Sequence, residues 1–119
     1  TTANECTFMG VECVGGLVSK VTLTEDGLEG SLPTDLGRLS SLVFLDLKNN
    51  NLFGEIPSEL GQLNKLQYLI LDKNDFTGTM PNEICKLTTQ GALIGAEVDC
   101  TGTIPEVQCD CCANCPLVV

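Results

Sequence analysis

The sequence predicts an α/β solenoid with a parallel sheet along one side, and three observations predict it. A short phrase recurs four times: Leu28-Glu29-Gly30-Ser31-Leu32-Pro33, Leu52-Phe53-Gly54-Glu55-Ile56-Pro57, Phe76-Thr77-Gly78-Thr79-Met80-Pro81 and Cys100-Thr101-Gly102-Thr103-Ile104-Pro105. Its prolines fall 24 residues apart, without insertion. Ahead of the phrases stand strand-like segments, Val18-x-x-Val21-x-Leu23, Leu42-x-x-Leu45-x-Leu47, Leu66-x-x-Leu69-x-Leu71 and a weaker Gln90-x-x-Leu93-x-Gly95. A fixed period of this length marks a stack of units, each burying its apolar face on the next.

These residues carry a family resemblance. L-x-x-L-x-L-x-x-N-x-L is the leucine-rich-repeat pattern. The added x-G-x-[IL]-P and x-x-[LI]-G-x-L resemble the 24-residue plant-type repeat of receptor-kinase ectodomains and polygalacturonase-inhibiting proteins, over residues 6–105. The resemblance implies a short right-handed leucine-rich-repeat superhelix. Its parallel sheet is concave, its convex side carries 3-10 or short helices, and caps pinned by disulfides close it.

Residues 1–17 are the expected N-terminal cap, which a solenoid needs to cover its apolar end. Cys6 and Cys13 flank Thr-Phe-Met-Gly-Val-Glu. This resembles the cysteine-paired cap of plant-type repeats, which implies a Cys6–Cys13 bridge. The family's usual Trp is replaced here by Phe8 and Met9.

Residues 18–105 are the four repeats, the fourth degenerate. In Leu42–Leu47 alternation sends Leu45 and Leu47 into the core and leaves Phe44, Asp46 and Lys48 on the concave side. A ladder position follows, held by Asp26, Asn50 and Asn74, where a side-chain amide can satisfy turn groups that no strand reaches. Val98 breaks this column at the fourth repeat. Residues 33–37, 57–61 and 81–85 each suggest one helical turn, with Thr34, Ser58 and Asn82 as capping types and an acid beside each favouring the positive end. The glycine of each phrase suits a second short strand needing positive φ or close approach.

Residues 106–119 form a Cys-rich C-terminal cap. Cys109, Cys111, Cys112 and Cys115 join Cys85 and Cys100 to give six cysteines in the last third. Their pairing stays open, except that neighbouring Cys111 and Cys112 should take different partners. The segment faintly resembles the Cys-rich ends of some secreted algal repeat proteins. Four of these cysteines would also make a zinc set, but paired C-x2-C knuckles are missing and disulfides are the favoured reading.

Composition narrows the function. Eight cysteines in 119 residues point to an oxidising compartment, extracellular or along the secretory pathway. Sixteen acids against six bases give a net charge of −10, which argues against nucleic acid and anionic membrane surfaces. There is no membrane-spanning run, so direct membrane insertion by this segment is not expected. The start at Thr1 suggests a mature or excised segment, and Pro116–Val119 suggests continuation into a larger chain or assembly. No Asn-x-Ser/Thr acceptor occurs. With no His, no Ser/His/Asp or Cys/His set can be assembled, so catalysis, and with it a cofactor, is not expected. An Asp46/Asp72 acid–base pair is disfavoured because Lys48 shares a column with Asp72. The Thr77/Thr79 and Thr101/Thr103 rows are too short for ice or carbohydrate recognition.

The binding candidate is the concave face. A strict 24-residue period stacks Lys20, Phe44, Tyr68 and Ala92, then Thr22, Asp46, Ile70 and Ile94, then Thr24, Lys48, Asp72 and Ala96. Phe44, Tyr68, Ile70 and Ile94 would make an apolar patch rimmed by Lys20, Asp46, Lys48, Asp72 and Lys73, the composition interfaces use. The expected function is non-catalytic recognition of a protein or peptide ligand. The alternatives are a structural subunit of an extracellular or cell-wall assembly and an inhibitor of a secreted wall-degrading enzyme.

Overall fold

A computed structural model describes residues 5–100, 106–112 and 114–115. The fourth Gly-x-Ile-Pro phrase, including Thr101 and Thr103, and the Pro116–Val119 tail lie outside the described residues. A 3-10 turn at Glu5–Thr7 leads into a hairpin of β1 (Val11–Val14) and β2 (Leu17–Thr22), paired antiparallel. Cys6 and Cys13 are bridged across this cap. Phe8 and Met9 are both exposed, so neither fills the place of a packed Trp.

From β2 the chain coils. Short second strand β3 (Glu29–Gly30) precedes a 3-10 turn at Thr34–Arg38, then come β4 (Phe44–Asp46) and β5 (Asn51–Glu55). A 3-10 turn at Ser58–Gln62 leads to β6 (Tyr68–Ile70) and β7 (Asp75–Thr79). Two short helices follow, α1 (Asn82–Cys85) and α2 (Leu87–Gln90), then β8 (Gly95–Glu97) and β9 (Val107–Gln108). The strands form two sheets, one in the order β1-β2-β4-β6-β8 and one in the order β3-β5-β7-β9. Among the described residues every pairing apart from the β1–β2 hairpin is parallel.

Between the sheets lies one continuous core. Leu42, Leu45, Leu66, Leu69 and Leu71 are fully buried, and the phrase residues Leu52, Ile56, Phe76 and Met80 complete it from the second sheet. The phrase glycines Gly30, Gly54 and Gly78 all take positive φ, which lets the second strand bend into the proline that follows.

The helical turns begin one residue earlier than their capping-type residues suggest. Pro33, Pro57 and Pro81 occupy the N-cap positions, with no side-chain cap bond. Thr34, Ser58 and Asn82 are therefore the first helical residues. The acids Asp35, Glu59 and Glu83 do lie in the first turns. Neighbouring turns pack at closest range through Gly37 and Gly61. A Cβ at Gly37 would sit 2.3 Å from the Glu59 carbonyl oxygen, and one at Gly61 would sit 2.6 Å from the Glu83 Cβ. Cys85 takes the same place in the third turn, where its side chain bridges to Cys111 of the tail.

The last coil departs from the strict period. Tyr68, Leu69 and Ile70 pair with Gly95, Ala96 and Glu97, not with residues 24 further on. The fourth strand thus begins at Gly95 rather than at Ala92, three residues later than the strict period places it. The cause lies in the preceding connection, where two helical segments replace a single 3-10 turn and consume three extra residues. Leu87 is the buried residue of α2, and the Leu93 N–H donates to its carbonyl at 3.1 Å. The tail then closes the open edge. Asn114 Nδ2 donates to the Val98 carbonyl at 2.8 Å, and Cys100 is bridged to Cys115.

Candidate functional site

The five-stranded sheet is the concave face, and its register defines columns of outward side chains. The first reads Glu12, Lys20, Phe44, Tyr68, Gly95. The second reads Thr22, Asp46, Ile70, Glu97. Phe44 and Tyr68 stand next to each other with ring centroids 6.1 Å apart and planes tilted by 56°. Tyr68 reaches the last strand as well, because a Cβ at Gly95 would lie only 3.3 Å from its ring. A glycine there leaves the ring room to rest on the backbone.

Further along the strands the Lys48 ammonium sits 3.7 Å from the Asp72 carboxylate. The expected cross-strand pair is therefore present, and it uses Asp72 in place of an Asp46/Asp72 pairing. Asp46 Oδ1 instead accepts the Lys48 backbone N–H at 3.1 Å. Among the described residues Asp72 Oδ1 is buried without a hydrogen-bond partner. Lys73 is exposed at positive φ, beyond the strand end, and borders a polar hollow of about 460 Å³ with Asn51, Asp75, Asp99 and Glu106.

Three positions differ from the strict-period columns, all through the shifted last strand. Ile94 is not beside Ile70. It precedes β8, is 66% exposed, and its N–H donates to the Gln67 carbonyl. Glu97 holds the place beside Ile70. Ala96 faces the core opposite Leu69 and is buried, and Gly95 stands beside Tyr68 in place of Ala92.

Beneath the face runs the ladder. Asn50 Oδ1 accepts the N–H groups of Asp26 and Leu28, and its Nδ2 donates to the carbonyls of Leu23 and Leu47. Asn74 Oδ1 accepts the Leu52 N–H, and its Nδ2 donates to the carbonyls of Leu47 and Leu71. Asp26 is exposed and enters only through its backbone. The strand before it is β1, which runs antiparallel and presents no matching turn. Asp99 is a rung the period did not reveal: its two oxygens accept the N–H groups of Lys73 and Asn74 at 2.8 and 3.0 Å. An acid next to the column-breaking Val98 was the available signal.

All eight cysteines are paired, as Cys6–Cys13, Cys85–Cys111, Cys100–Cys115 and Cys109–Cys112. Cys111 and Cys112 thus take different partners: Cys111 and Cys115 tie the tail back to Cys85 and Cys100, and Cys109 and Cys112 bridge within it. Among the described residues no helix is long and apolar enough to cross a membrane.

Stacked parallel strands, an amide ladder beneath them and Gly-x-Ile-Pro turns opposite define a leucine-rich-repeat protein. Residues 41–63 and 65–87 match the family model for the Leucine Rich Repeat. The chain thus carries leucine-rich repeats, and their 24-residue period is the plant type. It is similar to the structure of PEPR1-AtPEP1 at 34% identity and a TM-score of 0.71, over 87% of this chain and 15% of that one. The ectodomain of the receptor kinase SOBIR1 from Arabidopsis thaliana shares 26% identity at a TM-score of 0.67, over 80% of this chain and 59% of that one. The ectodomain of the Arabidopsis receptor kinase HAESA, in complex with an IDA peptide hormone ligand, shares 27% identity at a TM-score of 0.63, over 87% and 18%. The chain thus spans less than two thirds of the length of each of these relatives. No curated protein sequence matches it.

Proposed function

We propose that the chain is a non-catalytic, extracellular recognition module that binds an extended peptide or protein segment across its concave sheet. The observation that carries this is the aromatic pair Phe44–Tyr68, standing on an open face in a fold whose relative HAESA holds a peptide ligand. Tyr68 is 39% exposed, and Ile70 beside it is half-buried, so apolar surface remains for a partner to cover. Lys20, Asp46, Lys48, Asp72 and Lys73 form the polar rim. Aromatic anchors inside such a rim carry most of the energy of protein interfaces. Four disulfides support placing the module in an oxidising compartment.

The test is a library of random nonapeptides displayed on phage and selected on the oxidised chain. Selected peptides should bind the Phe44→Ala and Tyr68→Ala variants at least about tenfold more weakly, the loss expected of an interface anchor. Equal binding to both variants would rule out this face as the binding surface.

A further inference from the structure

We infer that the concave face selects a basic peptide: one side chain, apolar, seated on Phe44 and Tyr68, and a neighbouring lysine or arginine paired with Glu97. The inference rests on the recognition reading above and specifies the ligand's chemistry. It follows from the register of the last strand. The strict period would complete the second column with Ile94, making a continuous apolar patch. The structure completes it with Glu97, so the column runs Asp46, Ile70, Glu97 and the aromatic surface is bordered by carboxylates.

The charge on this border is not neutralised from within. Among the described residues the ion pairs are Lys48–Asp72 and Arg38–Asp35. Among these residues Asp46 and Glu97 have no cation partner, and Asp99 is bonded by backbone N–H groups. Charges beyond about 8 Å are screened at physiological salt, so the local balance decides what is attracted. Around β8 that balance is negative: Asp72, Glu97 and Asp99 stand against Lys48 and Lys73, within a chain of net charge −10. Glu97 and Ile70 are both half-buried, and a carboxylate beside apolar surface gains most from a cation that arrives with its own hydrogen bonds.

Geometry fits an extended ligand. Tyr68 pairs with Gly95, and Glu97 lies two residues on, so Tyr68 and Glu97 are diagonal neighbours, a relation that spans about 7–8 Å. Residues i and i+2 of an extended peptide are about 7 Å apart on one face. A single strand can therefore place an apolar side chain on the ring pair and a basic one at Glu97. With no side chain at Gly95, nothing stands between the two subsites on that strand.

The nonapeptide library decides the matter when it is selected in parallel on the wild-type chain and on Glu97→Gln, Glu97→Lys and Tyr68→Ala. Far-UV circular dichroism and non-reducing intact mass check that each variant keeps its fold and bridges. Wild type should enrich lysine or arginine two positions from an apolar residue. Those peptides should bind Glu97→Gln about tenfold more weakly, the worth of one charge-assisted hydrogen bond, and Glu97→Lys should lose the basic preference while keeping the apolar one. Peptides that need Tyr68 but show a neutral or acidic partner, or that bind Glu97→Gln unchanged, overturn the charge assignment and leave the recognition reading standing. Selected peptides indifferent to both Phe44 and Tyr68 overturn the recognition reading and this inference with it.

Discussion

Replacing Asn74 with alanine removes a side chain whose oxygen and nitrogen both bond inside the core. The Leu52 N–H loses its acceptor and the Leu71 carbonyl loses a donor, while the Leu47 carbonyl keeps the bond from Asn50. Two buried groups are left unpaired, at roughly 1–3 kcal/mol each, so the variant should lose about 3 kcal/mol. Against a total stability of about 5–15 kcal/mol for a domain of this kind that is a large fraction. The shared Leu47 carbonyl makes the sharper point. Asn50→Ala alone leaves it bonded to Asn74, and only the double variant strips both donors. The double variant should therefore be less stable than the sum of the singles by about 1 kcal/mol. Guanidinium unfolding with the disulfides intact, followed by circular dichroism, measures all four members of the cycle. Additive or sub-additive losses, or an Asn74→Ala within about 0.5 kcal/mol of wild type, would refute the ladder as an energetic element.

Gly61→Ala places a methyl group 2.6 Å from the Glu83 Cβ, against backbone that cannot rotate away. It should cost about 1–3 kcal/mol in the same unfolding assay, and a neutral result would show that the turns can separate. The bridges should rank by loop length. Cys85–Cys111 spans 26 residues and Cys6–Cys13 spans 7, so loop entropy assigns them about 3.5 and about 2.4 kcal/mol. Comparison of the Cys85→Ala/Cys111→Ala and Cys6→Ala/Cys13→Ala pairs tests the order, and the reverse order would mean that native contacts outweigh loop entropy.

The regular coils were readable because each of their features has a local cause. Leu45 and Leu47 alternate inward, Asn50 and Asn74 fall where turns need an amide, and each phrase glycine sits where φ must be positive. The last coil was not readable because its cause is not local. Thr88, Thr89 and Gln90 carry no leucines, so the period could only be extended by counting. The helical pair that replaces the 3-10 turn is a packing outcome around Leu87 and Leu93. Counting puts Ile94 on the face and Gly95 at an inward position, and passes over Glu97 and Asp99, whereas Gly95, Glu97 and Asp99 give this end of the face its shape and charge. The cap hairpin was missed for the opposite reason. Gly15-Gly16 between two apolar runs is a turn signal in its own right, but it lies outside the repeat pattern that organised the reading.

The sheet order also sets how much of a partner can be read at once. Five strands leave four gaps, so the face is only about 19 Å wide across the strands. A fully extended segment crosses that distance in about six residues, of which alternate ones point toward the sheet. Three side chains at a time therefore carry the discrimination, and each must be chosen by its own chemistry rather than by accumulated length. Every further coil in such an array would lengthen the readout by about 4.8 Å, between one and two residues.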